Sequence, residues 1–159
     1  MKIKIICVGK IKENFYKDAI LEYSKRLSRY CILEVVEVED EKTPDRASEN
    51  ECSLIKKKEG QRILSHIKDN EFIVTLEIEG KKLTSPGLAK KLEEITVLGN
   101  STIDFIIGGS LGLSDEIKNK ADFKLSFSDM TFPHQLMRVI LLEQIYRAFK
   151  INNNEPYHK

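Results

Sequence analysis

Apolar residues along this chain recur at every second position in short runs and on one helical face in longer ones. Ile3, Ile5 and Cys7 alternate with Lys2, Lys4 and Ile6, which predicts a first strand. Phe15, Ala19, Ile20, Tyr23 and Leu27 then share one side of a helix. Cys31 to Val38 returns to strand, with Ile32 and the Val35-Val36 pair set among glutamates. A polar loop from Glu39 to Ala47 leads to Ser48-Glu49-Asn50-Glu51, which fits a capping box: hydroxyl and carboxylate satisfy free amides at a helix start. That helix is expected to reach about Ile67.

The second half keeps the rhythm. Phe72 to Ile78 reads as a strand, and Ser85-Pro86 as an N-cap with proline in the first helical position. The helix that follows should reach Val97 and stop at Gly99. Thr102 to Ile107 is a strand of the buried type. Gly108 to Gly112 form a turn, a short helix opens near Ser114-Asp115-Glu116, and Lys124 to Ser128 form a short strand. Pro133 can start a long helix carrying Leu136, Val139, Ile140, Ile145, Tyr146 and Phe149 near one stripe. Five strands alternating with helices, without repeat or linker, predict one α/β domain over residues 1–159 with a mostly parallel sheet flanked by helices.

Composition narrows the class. The 159 residues suit one domain, and 41% apolar with 32% charged residues is the make-up of a soluble globular protein. Lys and Arg total 26 against 25 Asp and Glu, a net charge of +1, which argues against coating nucleic acid by bulk electrostatics but allows a local basic site. Lys56-Lys57-Lys58 reads as a solvated face, with an RNA-facing patch as the alternative. No run approaches the roughly 18 apolar residues of a membrane span. The N-terminus lacks a small-residue cleavage site, and Cys7, Cys31 and Cys52 are odd in number and sit in apolar patterns, so a cytoplasmic, reducing address is expected. His66, His134 and His158 lie far apart and no Cys-x-x-Cys pair occurs, so no metal is expected.

Sheets of this kind bind ligands beyond the carboxyl ends of their strands. Three loops qualify: after Leu76, at Gly108, and around Ser128 to Thr131. The glycine turn is neither a P-loop nor the dinucleotide fingerprint. It does match Gly-x-Ser-x-Gly, as Gly108-Gly109-Ser110-Leu111-Gly112, with Asp129 and then His134 or His158 following in the order of a small serine hydrolase. Against that reading stand the short chain and the lack of an HGGG-type oxyanion loop. In the second cluster, Leu125 to Gln135, Thr131 and Pro133 can simply start a helix that His134 caps. The segment Pro156-Tyr157-His158-Lys159 sets an aromatic ring, an imidazole and an ammonium in a row. Those groups suit stacking on a base, exchanging a proton and holding a phosphate.

Together these residues resemble a known family. Ile107-Gly108-Gly109-Ser110 with Gly112, Leu125-Ser126 through Met130-Thr131-Phe132-Pro133-His134-Gln135, Arg138, Glu143-Gln144-Ile145-Tyr146-Arg147-Ala148 and the Pro156-Tyr157-His158-Lys159 ending are similar to the RlmH (formerly YbeA) family. These are SPOUT-class methyltransferases that act on N3 of a pseudouridine in bacterial large-subunit ribosomal RNA. The resemblance covers essentially the whole chain, including Val8-Gly9-Lys10 and Glu59-Gly60-Gln61-Arg62. It implies a trefoil knot in the C-terminal half, about residues 72–159, an exception to the rule against knotted chains. It also implies S-adenosyl-L-methionine as methyl donor, held by Leu76, Gly108, Phe127, Ser128, Asp129, Met130, Thr131 and Phe132. The expected partners are a second copy of the chain, in a homodimer built on the long C-terminal helix, and large-subunit ribosomal RNA in the ribosome.

The residues expected at the reacting base are His158, Tyr157 and Lys159, with Arg138 and Arg147 on phosphate or bridging subunits. An imidazole can take up a proton near neutral pH, which makes His158 the candidate base. Asn154 stands where the family usually has glycine, and asparagine is the best non-glycine occupant of a left-handed backbone position. A non-enzymatic ribosome-binding factor on the same fold is the remaining alternative.

Overall fold

A computed structural model describes residues 1–159. Strands and helices alternate as β1 (Lys2–Val8), α1 (Asn14–Leu27), β2 (Ile32–Val38), α2 (Glu49–Leu64), β3 (Phe72–Lys82), α3 (Ser85–Val97), β4 (Thr102–Ile107), α4 (Asp115–Lys120), β5 (Phe123–Ser126) and α5 (His134–Asn152). The five strands form one sheet in the order β2-β1-β4-β3-β5, every neighbouring pair parallel, as the alternating pattern predicts. No helix is long and apolar enough to cross a membrane.

Strand side chains alternate between faces, and both faces of this sheet are covered. Ile3, Ile5 and Cys7 of β1 pack with Leu27 of α1, Leu92 of α3, and Leu141 and Ile145 of α5. Ile6 and Val8 face the other way, onto Ile63 of α2 and Ile117 of α4. The glutamates of β2 reflect its place at an edge of the sheet. Burial pushes the Cys7 thiol up to about 12 and the Cys31 thiol up to about 11, which keeps both as inert hydrophobes.

Several boundaries differ from those read off the pattern, each for a local reason. Thr84, not Ser85, caps α3: its hydroxyl accepts from the Gly87 amide at 3.1 Å, while the Ser85 hydroxyl reaches Gln144 of α5 at 2.7 Å. The capping box of α2 forms as expected, but the helix stops at Leu64, where i→i+3 bonds from His66 and Ile67 tighten the chain. Strand β3 continues past Ile78 to Lys82 through an irregularity between Leu76 and Lys81. Gly80 permits it, because a Cβ there would lie 2.8 Å from the backbone of Lys124 and Leu125. Pro133 is the residue before α5 and not its first helical one.

Beneath the α2 face lies a buried ionic cluster. Lys4 Nζ donates to the His66 carbonyl at 2.7 Å and to Glu71 at 2.6 Å, and stands 3.3 Å from Asp104. Burial, and next the neighbouring Glu71, push the Asp104 carboxyl up to about 7. Burial works against the Glu71 charge as well, but hydrogen bonds led by Lys4 outweigh it and hold that carboxyl below its ordinary range. Below about pH 7 the pair thus retains one proton beside Lys4.

The folded state therefore binds a proton that the unfolded chain releases at ordinary carboxyl values. The stability this gives is complete below the unfolded value and is lost as pH rises through about 7. Urea unfolding at about pH 6 and about pH 8 should show a loss across that interval, bounded by about 1.4 kcal/mol per pH unit for one group. In Asp104→Asn, which copies the protonated acid, this part of the loss should vanish. An unchanged slope in that variant would remove Asp104 as its source.

Candidate functional site

Because the strands are parallel, β3, β4 and β5 deliver their following loops to one edge of the sheet. There the loops enclose a cavity of about 340 Å³, closed on one side by the first turn of α5. Its walls are Leu76 to Ile78, Ile107 to Leu113, Leu125, Phe127, Ser128, Met130 to Phe132, and His134 and Met137. Seven of the eight residues expected at the cofactor are here: Leu76, Gly108, Phe127, Ser128, Met130, Thr131 and Phe132. Asp129 is outside the lining, exposed and paired with Lys82 of β3.

The glycine turn is tightly closed on itself. Gly112 donates to the Gly109 carbonyl at 3.0 Å, and a Cβ on Gly108 would sit 2.8 Å from the Gly112 carbonyl carbon. Only a bare backbone fits there, so peptide groups form that wall of the cavity. Behind the turn lies the buried carboxylate of Glu59, which accepts from the Glu41 amide at 3.1 Å. The Ser110 hydroxyl meets only Thr43, at 3.4 Å. Asp129 is taken by Lys82 and His158 lies beside Arg147; His134 shares the cavity wall with Ser110 but bonds neither to it nor to Asp129, so the hydrolase constellation is not assembled.

Sequence reasoning passed over Glu77, Ile78 and Met137, and read His134 only as a cap or a hydrolase base. Their signal was position: strand-end residues and the first turn of α5 border the same loops. Glu77 accepts from the Thr75 hydroxyl at 2.7 Å. Burial, and then the nearby Arg138 charge, hold the His134 imidazole below its ordinary value, which leaves a neutral ring on the cavity wall.

The C-terminal segment is docked against the middle of α5. Tyr157 donates to Glu143 at 3.1 Å, stands edge-on to Tyr146 at 5.0 Å, and lies under the Arg147 guanidinium at 4.7 Å. Burial and the bond to Glu143 raise the Tyr157 phenol above its ordinary value. His158 Nδ1 is 3.3 Å from Arg147, which Glu143 holds at 2.6 Å. Tyr157 and His158 thus come together, and Lys159 follows, exposed. They do not meet the cavity of their own chain: Glu143 is nine residues beyond His134, about 14 Å along the helix axis.

A family model described as "Predicted SPOUT methyltransferase" matches residues 1–158. The chain belongs to the SPOUT methyltransferase family. It is 61% identical over 159 residues, the full length of both chains, to the "Ribosomal RNA large subunit methyltransferase H" of Clostridium novyi (strain NT). It is 63% identical, again over both full lengths, to the "Putative ribosomal RNA large subunit methyltransferase H" of Methanococcus maripaludis (strain C5 / ATCC BAA-1333). Among solved structures, a probable methylase family protein from Haemophilus influenzae Rd KW20 shares the fold, with a TM-score of 0.54 and 12% identity. That match covers 99% of this chain and 70% of the other.

In this SPOUT methyltransferase Arg138 does not stand with Tyr157 and His158, where the sequence reading placed it. It is 1% exposed. Its guanidinium donates to Glu37 at 2.7 Å and to the carbonyls of Val8 and Gly9 at 3.0 and 2.6 Å. The side chain ties α5 to the ends of β1 and β2; its one unpartnered donor, Nε, is buried and out of reach of a phosphate. Arg138→Met should therefore lower stability by about 3 kcal/mol, since it strands two carbonyls and a carboxylate. Denaturant unfolding measures this. A variant of wild-type stability would return Arg138 to the surface role.

Proposed function

We propose that the protein transfers a methyl group from S-adenosyl-L-methionine to N3 of a pseudouridine in large-subunit ribosomal RNA. The observation that carries this reading is the cavity formed by the loops after β3, β4 and β5. It lies at the sheet edge of a chain whose full-length relatives are named for methylating that RNA. The reading includes a trefoil knot threaded through those three loops within residues 72–159, one working domain over 1–159, and a cytoplasmic place of action.

The residues present fit the cofactor. Leu76, Leu125, Phe127 and Phe132 offer apolar walls for a purine ring, and the bare peptide groups at Gly108 can approach its polar edge. Glu77 supplies a carboxylate suited to ribose hydroxyls or a cationic end. When bound, the cofactor supplies an electrophilic methyl on a sulfonium. What remains for the protein is alignment and removal of the imide proton of the base. His158 is the candidate base, Tyr157 stacks on or bonds the nucleobase, and Lys159 holds phosphate.

A homodimer supplies the missing proximity. Tyr157 and His158 lie against the middle of α5, away from the cavity in one chain, while Leu136, Val139 and Ile140 on that helix remain partly exposed. A second copy packed on this stripe would cover them and bring its own C-terminal segment to the first cavity.

Calorimetry should show S-adenosyl-L-methionine binding to the wild-type protein, and mass spectrometry should find methylated pseudouridine in ribosomes treated with both. Deleting Tyr157 to Lys159 should spare cofactor binding and cut methylation by about a hundredfold or more. Ser110→Ala should stay active. Absence of cofactor binding would sink the reading, and ribosome binding without methylation would leave a non-enzymatic factor.

A further inference from the structure

The C-terminal segment has a second attachment, outside the groups assigned to the base. Asn154 turns the chain at φ 54, in the left-handed region, and its amide bonds to the Ile151 carbonyl at 3.0 Å. The next amide, that of Glu155, bonds to the Lys150 carbonyl at 2.9 Å. The Glu155 carboxylate then accepts from the Tyr30 hydroxyl at 2.8 Å and pairs with the Lys150 ammonium. Tyr30 belongs to the turn between α1 and β2, 125 residues away in sequence.

The post to which Glu155 is tied is itself rigid. The Tyr30 ring is stacked on Phe149 at 5.6 Å and stands edge-on to Tyr146 at 6.0 Å. Tyr146 is also the ring against which Tyr157 leans. One aromatic side chain thus separates the attachment at Glu155 from the side chain that meets the base. Between them stands only Pro156, whose ring limits φ and carries the direction set at Glu155 on to Tyr157.

We propose that Glu155 is a positioning residue for the methyl transfer: clamped between Tyr30 and Lys150, it sets the point from which Tyr157, His158 and Lys159 are presented. The assignment rests on the reading above, in which those three residues act on the base. It assigns the clamp a function because residues 153–159 lie outside helix and strand, and ordering them at the moment of reaction would cost entropy in the transition state. Charge-assisted bonds are the strong kind, and Lys150 first, then Tyr30, hold the Glu155 carboxyl below its ordinary range as its charged acceptor form.

The test compares wild type, Glu155→Ala, Glu155→Gln, Tyr30→Phe and the Tyr30→Phe/Glu155→Ala double variant as full chains. Methylation of purified ribosomes gives kcat and KM, calorimetry gives cofactor affinity, and thermal melting reports folding. Glu155→Ala should lower kcat about tenfold with KM, cofactor affinity and melting temperature unchanged. Glu155→Gln can still accept from Tyr30 and should recover most of that loss. Tyr30→Phe should lose activity too, and add little to Glu155→Ala in the double variant.

Wild-type kcat in Glu155→Ala overturns the proposal. So does a loss that cofactor affinity and melting temperature follow in parallel, which is what a merely structural bond would give. If deleting Tyr157 to Lys159 abolishes methylation while Glu155→Ala is silent, the clamp falls and the functional reading stands. If the wild-type protein methylates nothing, both fall together.

Discussion

The guanidinium of Arg138 is the interaction on which the rest of the arrangement depends. It is buried where α5 crosses the ends of β1 and β2, and acceptors on Glu37, Val8 and the following Gly9 converge on it. A buried cation without such acceptors would cost several kcal/mol, so the position of α5 over the sheet is tightly determined. That helix carries His134 and Met137 on the cavity wall at one end and Glu143 and Arg147, which hold Tyr157, further along. One ionic tie near its start thus sets both the shape of the ligand cavity and the place of the segment that would complete the reaction.

Periodicity is enough for the architecture because the sheet is parallel and buried on both faces. Such strands read as apolar runs, and their helical crossovers show the longer period between them. Period says less about where elements end. Ser85 and Thr84 are equally good caps by composition, and only the reach of Ser85 towards Gln144 decides between them. The continuation of β3 past Ile78 depends on Gly80 admitting the β5 backbone, a contact between segments more than forty residues apart.

The same division runs through the site. Gly108 and the run from Phe127 to Phe132 announce themselves as local departures from helix and strand, and most of them line the cavity. Asp129 sits within that run but is drawn off by Lys82, a partner on another strand. Arg138 looks like an exposed phosphate ligand in sequence because arginine usually is exposed, and nothing local reveals that Glu37, 101 residues earlier, meets it. Asn154 is the converse case. The family's usual glycine at that place points to it among three asparagines, and the tolerance of asparagine for left-handed backbone agrees with its φ of 54.

A net charge of +1 and a short chain leave little surface for gripping RNA by electrostatics alone. The geometry suggests where discrimination would come from instead. The cavity borders the first turn of α5 and the C-terminal segment docks against its middle, so in the proposed function one chain alone would not hold a complete site. Two copies would complete each other, and an RNA would be held only where its shape fits the space between them. Under that arrangement a small error in the direction of the C-terminal segment is multiplied across the interface. The turn at Asn154 and the ties at Glu155 and Tyr157 would then bear on the chemistry as much as the cavity does.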